Sequence, residues 1–135
     1  MTGLHTPLSP LSFLERSARV YPNRTAVIDG ETTRTFAELA ADAQHRAQLL
    51  ADLGIRPGDR VAYMAPNTLE MATAQFAVPL AGAVLVPLNI RLTSAEIHFI
   101  LEHSGARVFV IDAEYIPVVQ PLIGQLTTVA TIAVD

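Results

Sequence analysis

Apolar positions along the 135 residues alternate between two spacings, one of about 3.6 residues and one of short unbroken or alternating runs. Ser9-Pro10 opens the first helical stretch, with a hydroxyl at the N-cap and proline at the first helical position. Leu11, Leu14 and Ala18 then repeat until Tyr21-Pro22 stops the helix. Thr25–Asp29 and Thr32–Thr35, joined by Gly30-Glu31, read as a small hairpin at a sheet edge. Thr35-x-x-Glu38 is a capping box, and Phe36, Leu39, Ala40, Ala43, Ala47, Leu50 and Leu53 form one apolar stripe that Gly54 ends. Arg60–Met64 is a strand apolar on both faces. Asn67, with Glu70 three residues on, is expected to cap a buried helix from Thr68 to about Ala81, bent late by Pro79. Val84–Leu88 is a strand, and Thr93-x-x-Glu96 starts a helix that points Ile97, Ile100 and Leu101 inward and ends at Gly105. Arg107–Asp112 is a strand, Ala113–Leu126 a proline-broken helix, and Thr128–Val134 a last strand.

Strands that alternate with helices and are apolar on both faces define the fold class. The expectation is an α/β domain with a mostly parallel, doubly wound sheet, flanking helices and a small N-terminal hairpin. No linker, repeat or low-complexity tract divides residues 1–135, so they read as one domain. The closing β-branched strand has no element after it to cover it, and this predicts a partial domain cut at its C-terminus.

Composition narrows the function. Half of the residues are hydrophobic and only 16% are charged. That excludes a disordered chain and leaves surface for a further portion of the protein, a separate partner or self-association to cover. All nine basic residues are arginine. The missing lysine excludes a Walker-type phosphate loop and any chemistry resting on a lysine amine of this chain. A net charge of -4, with arginines scattered, argues against nucleic acid. The lack of cysteine excludes disulfides and thiolate metal sites and fits a reducing cytoplasm. Met1–Pro10 has neither the basic start nor the apolar core of a signal peptide. Met71–Ile90 and Tyr115–Val134 are uncharged and long enough to span a membrane, but prolines and glycines divide both, so they are expected in a buried core.

Candidate chemistry is sparse. The glycines form no phosphate-cradling cluster and read as turns and helix ends. Asp42 with His45, and His98 with Glu102, can each share a helix face, yet neither pair has a third ligand nearby, so no metal site is assigned. No catalytic residue is assigned either. Pro87–Thr93 lies just past the carboxyl end of a parallel strand, where open α/β sheets bind ligands. Arg91 in that stretch reads first as a surface arginine of a loop and second as a contact for an anionic group.

Taken in order, the motifs resemble the opening of the adenylate-forming (AMP-binding) acyl-CoA synthetases. The residues that carry the resemblance are Phe13–Arg16, Tyr21–Val27, Thr35–Leu39, Gly58–Ala62, Pro66-Asn67 with Glu70, Gly82–Val84, Pro87–Asn89, Arg91–Thr93 with Glu96, and Leu101–Arg107. The resemblance covers nearly the whole chain. It implies the N-terminal segment of a fatty-acid or related acid–CoA ligase, whose full-length form makes an acyl-adenylate from ATP and then a CoA thioester. It also implies that ATP, Mg2+ and CoA belong to that full-length enzyme, and that the phosphate loop and adenylation lysine lie downstream. The isolated chain is then expected to be inactive and to hold no cofactor by itself. By resemblance alone, Arg91 is the residue that would contact a CoA phosphate, with Ile90 standing where proline is commoner. A subunit of a split ligase and a non-catalytic interaction domain are the alternatives.

Overall fold

The computed structural model describes residues 9–135, so the reading of Met1–Leu8 as something other than a signal peptide lies outside the described residues. Helix α1 (Pro10–Val20) starts where expected, with the Ser9 Oγ accepting from the Leu11 N–H at 3.3 Å. Strands β1 (Thr25–Asp29) and β2 (Thr32–Thr35) pair antiparallel as a separate two-stranded sheet. Helix α2 (Phe36–Asp52) carries the reciprocal Thr35/Glu38 capping box and buries Leu39, Ala43, Ala47 and Leu50 along one stripe. Its end is a Schellman turn. Gly54 at φ 84° lets the Gly54 N–H reach the Ala51 carbonyl and the Ile55 N–H reach Leu50, and Ile55 and Leu50 are buried in the same core cluster.

The main sheet has four strands, β3 (Arg60–Met64), β4 (Val84–Pro87), β5 (Ala106–Ile111) and β6 (Thr131–Val134), all parallel and ordered β4-β3-β5-β6. Helix α3 (Leu69–Leu80) links β3 to β4, and α4 (Ser94–Ser104) leads from β4 across to β5. After β5 come two 3-10 turns flanking α5 (Ile116–Val119), the short broken stretch that Pro117 and Pro121 impose. Alternation along β3 divides the core. Val61 and Tyr63 join Leu50, Ala74 and Val78 under α2 and α3, while Ala62 and Met64 join Ile97, Leu101 and Phe109 under α4 and α5. This is the doubly wound sheet that the pattern of apolar runs calls for, and β3 is its most enclosed strand.

Two local expectations change. Asn67 does not cap α3. Thr68 occupies the N-cap without a side-chain bond, and the Asp29 carboxylate, at the end of β1, accepts from the Leu69 N–H at 2.8 Å. The cap comes from 40 residues away, where no local spacing rule reaches. Helix α3 runs through Pro79 to Leu80 with Ala81 as its C-cap, close to the expected end, because proline in the last turn removes just one donor. Strand β6 begins at Thr131, not Thr128, since Thr127 and Thr128 donate their backbone N–H groups to the Glu102 carboxylate.

Arg60 joins the two ends of the sheet layers. Its Nε donates to the Ser104 carbonyl at 2.6 Å and its Nη2 to Gly105 at 3.1 Å, satisfying the last carbonyls of α4. Gly105 serves this contact twice. It takes the left-handed φ of 64° that ends α4, and a Cβ there would lie 2.6 Å from the Arg60 Nη2. Packing of the α2 stripe gives a direct test. Leu50→Asp places a charge among buried apolar side chains and should destabilise the fold by about 3 kcal/mol or more; an unchanged thermal melt would show that α2 is not held as described.

Candidate functional site

The connections β3-α3-β4 and β4-α4-β5 run to opposite sides of β3, so the topological switch point lies between the carboxyl ends of β3 and β5. Ala65–Thr68 and Asp112 occupy that end. The two strands stay closed there, with the Asp112 N–H donating to the Met64 carbonyl at 2.9 Å and the Asp112 Oδ1 accepting from Glu114. Arg91 lies one strand aside, past the edge strand β4. Its turn is shaped by Asn89, whose Oδ1 accepts from the Arg91 N–H at 2.9 Å and whose carbonyl accepts from Leu92. The Arg91 side chain is exposed.

The α4 N-terminus next to Arg91 is already supplied with an anion. The Glu96 carboxylate accepts from both the backbone N–H and the hydroxyl of Thr93 at 2.8 Å, and the Thr93 hydroxyl accepts from Glu96 N–H. These bonds, that from the backbone first, hold the Glu96 carboxyl below its ordinary value of 4.5. A ligand phosphate at this turn would therefore find the Thr93 and Glu96 N–H groups already engaged and the Arg91 guanidinium beside them.

The carboxylates of the other sequence candidates are engaged by other groups. Asp42 is taken by Arg34, at 3.0 Å from its Nε, and His45 is exposed. Glu102 is taken by Thr127, first through its hydroxyl and then its N–H, which lowers its pKa. His98 lies near enough to Glu102 to lower its pKa further, and His103 stacks on Phe99 with the rings 5.4 Å apart. Among the described residues no three His, Asp or Glu side chains are placed to hold a metal ion, and no helix is long and apolar enough to cross a membrane.

One polar cluster escaped the sequence reading. Arg46 of α2 is paired with the Asp135 carboxylate and donates to the Tyr63 hydroxyl at 3.3 Å, while that hydroxyl donates to Asp135 at 3.3 Å. Burial, aided by Asp135, pushes the Tyr63 hydroxyl up to about 12, so it stays a neutral donor. Burial also works against the Arg46 charge, and Asp135 outweighs it, so its pKa rises. The cluster is unsuited to acid–base work near neutral pH and instead ties β6 to α2 and β3. The only sequence signal was an arginine between Ala43 and Ala47 of the buried stripe.

Residues 14–135 match the model of the AMP-binding enzymes. The chain belongs to this family. A peroxisomal acetate/butyrate–CoA ligase of Arabidopsis thaliana is 42% identical over 111 residues, which is 82% of this chain and 20% of that protein. A peroxisomal benzoate–CoA ligase of the same plant is 40% identical, over 82% of this chain and 19% of that one. Among solved structures, the anthranilate CoA ligase AuaEII in complex with anthranoyl-AMP superposes with a TM-score of 0.89 at 29% identity, covering 93% of this chain and 24% of that one. The inhibitor-bound N-terminal domain of FACL13 from Mycobacterium tuberculosis gives 0.88 at 33% identity, covering 93% and 33%. The chain thus spans about a fifth of the length of the curated relatives it matches.

The two capping boxes make acid stability testable. Glu38 and Glu96 both ionise below 4.5 in the fold, so their contribution is complete above that value and is lost as pH falls through the depressed pKa values. Urea midpoints should fall as pH is lowered from about 5 to about 3, and Glu38→Gln with Glu96→Gln should flatten that fall. An identical pH profile in the double variant would remove the boxes from the account.

Proposed function

We propose that this chain is the N-terminal part of an ATP-dependent acid–CoA ligase. In the full-length protein, a fatty acid or related carboxylic acid, ATP and CoA would give the acyl-CoA, AMP and pyrophosphate. The carrying observation is the family match over residues 14–135, joined to relatives that are themselves named CoA ligases of short or aromatic acids. Those names differ in their acid, and nothing in these residues selects one.

The side chains present do not fit ATP or Mg2+. There is no lysine, the glycines stand singly at turns and helix ends, and the carboxylates at the sheet's carboxyl end are engaged in caps. The reading therefore assigns nucleotide and metal to residues outside this segment and gives the segment a scaffolding role. CoA is different. An exposed guanidinium is suited to a phosphate, and Arg91 is held at a defined turn by Asn89. The reading gives Arg91 a CoA phosphate to contact. A cysteine-free chain also fits the cytoplasm, although the plant relatives are named peroxisomal.

Two measurements test the reading. The purified 135-residue chain should give no ATP–pyrophosphate exchange above a blank, and exchange would overturn the scaffolding role. In the full-length protein, Arg91→Ala should raise KM for CoA about ten-fold while KM for ATP changes less than about two-fold; equal effects on both would remove Arg91 from the CoA site.

A further inference from the structure

Helix α1 forms an outer layer, packed on α2 and α3 through Leu14, which is buried with Leu39, Ala43 and Ala77. Helical spacing puts Phe13, Arg16 and Val20 on the side turned away from that contact. Phe13 is 64% exposed and Val20 47%. Tyr21, the C-cap residue, is 49% exposed, and the Arg24 guanidinium lies 5.0 Å above the centre of its ring. Apolar side chains scattered singly over a surface are ordinary. Here they are gathered on one short helix and its cap and interleaved with arginine.

Charge is distributed unevenly along the chain. Residues 9–24 carry three arginines against one acid, Glu15, whereas residues 25–135 carry six arginines against twelve acids. Glu15 turns toward α2 and α3, where it helps to line a groove of about 440 Å³ with Leu11, Phe76 and Leu80. Among the described residues, Arg34 and Arg46 are paired with carboxylates and Arg60 with backbone carbonyls, while no ion pair engages Arg16, Arg19 or Arg24. The outward side of α1 is thus basic and apolar on a chain whose remainder is acidic.

We propose that this side of α1, with Tyr21 and Arg24, is a docking face for the surface of an anionic phospholipid bilayer. Charge complementarity selects that occupant, since phosphate headgroups supply many anions for guanidinium groups spread along one helix. Shape agrees with it. A helix ridge with apolar tips enters a fluid interface without a matching cleft, whereas a folded protein partner has to provide one. Phe13 and Val20 would sit at the boundary of headgroups and acyl chains, with Arg16 between them reaching the phosphates. Tyr21 would lie at the headgroup level, where rings with a polar tip collect. The face asks for contact alone, and no described helix is long and apolar enough to cross the bilayer.

The test sediments the 135-residue chain with vesicles of about seven parts phosphatidylcholine to three parts phosphatidylglycerol, and separately with vesicles of phosphatidylcholine alone. Binding to the anionic vesicles should be about ten-fold tighter or more, and it should weaken as salt rises from about 0.1 M to about 0.5 M. Arg16→Glu should lower it about ten-fold or more, and Phe13→Ser about five-fold or more. Arg56→Glu makes the same change of charge at an exposed arginine outside the face and should lower binding less than about two-fold. All three positions are exposed, and melts of the variants within about 2 °C of the parent would show that the fold is intact. No sedimentation with anionic vesicles, equal binding to both kinds, binding unchanged by Phe13→Ser, no greater loss with Arg16→Glu than with Arg56→Glu, or a homodimer that Phe13→Ser dissolves would each overturn the docking face. The measurement uses no ATP, acid or CoA, so its outcome is separate from that of the ligase reading.

Discussion

A parallel sheet has to be covered on both faces, because its crossover helices and its hydrogen-bond geometry leave no solvated side. In this chain that requirement centres on β3. Its five residues meet α2 and α3 through Val61 and Tyr63 and meet α4 and α5 through Ala62 and Met64. Both core clusters therefore share β3, as they also share β5 beside it. Everything else in the main sheet is arranged around it: β4 and β5 as its neighbours, α3 and α4 as covers on opposite faces, and Arg60 at its start holding the end of α4.

Covering β3 is achieved within these residues, whereas covering the outermost strand is not. Strand β6 has β5 on one side only, with Leu49 and Leu53 at the end of α2 exposed on one face and its own Ile132 and Val134 exposed on the other. A family whose curated members run to about five times this length has ample chain with which to continue the sheet. In the reading proposed for Arg91, a single guanidinium outside the edge strand would be one piece of a site whose other pieces lie in other residues.

Several contacts hold the parts in place without belonging to any element. The Asp29 carboxylate fastens the hairpin to the start of α3, Glu102 gathers the Thr127-Thr128 turn before β6, and Arg46 reaches both Tyr63 and Asp135. Each is a charged side chain whose partner is a backbone donor or a side chain from a distant stretch. Such groups read in sequence as solvated helix faces or strand ends. His98 and Glu102, for instance, share a helix face as their spacing requires, but the carboxylate serves a turn 25 residues on.

By itself the sequence determined the α/β class, the order of the elements, both capping boxes, the glycine ends of α2 and α4, and the family through the order of short motifs. Those features rest on local rules, in which a side chain bonds the backbone a few residues away or an apolar stripe repeats at a fixed period. Only the tertiary structure decided the strand order β4-β3-β5-β6, the cap on α3, the late start of β6, the buried Arg46–Tyr63–Asp135 cluster and the position of Arg91 one strand away from the switch point. The physical reason is the same for each. They depend on which stretches of chain meet once both faces of β3 are covered, and periodicity along one stretch carries no information about its distant partner.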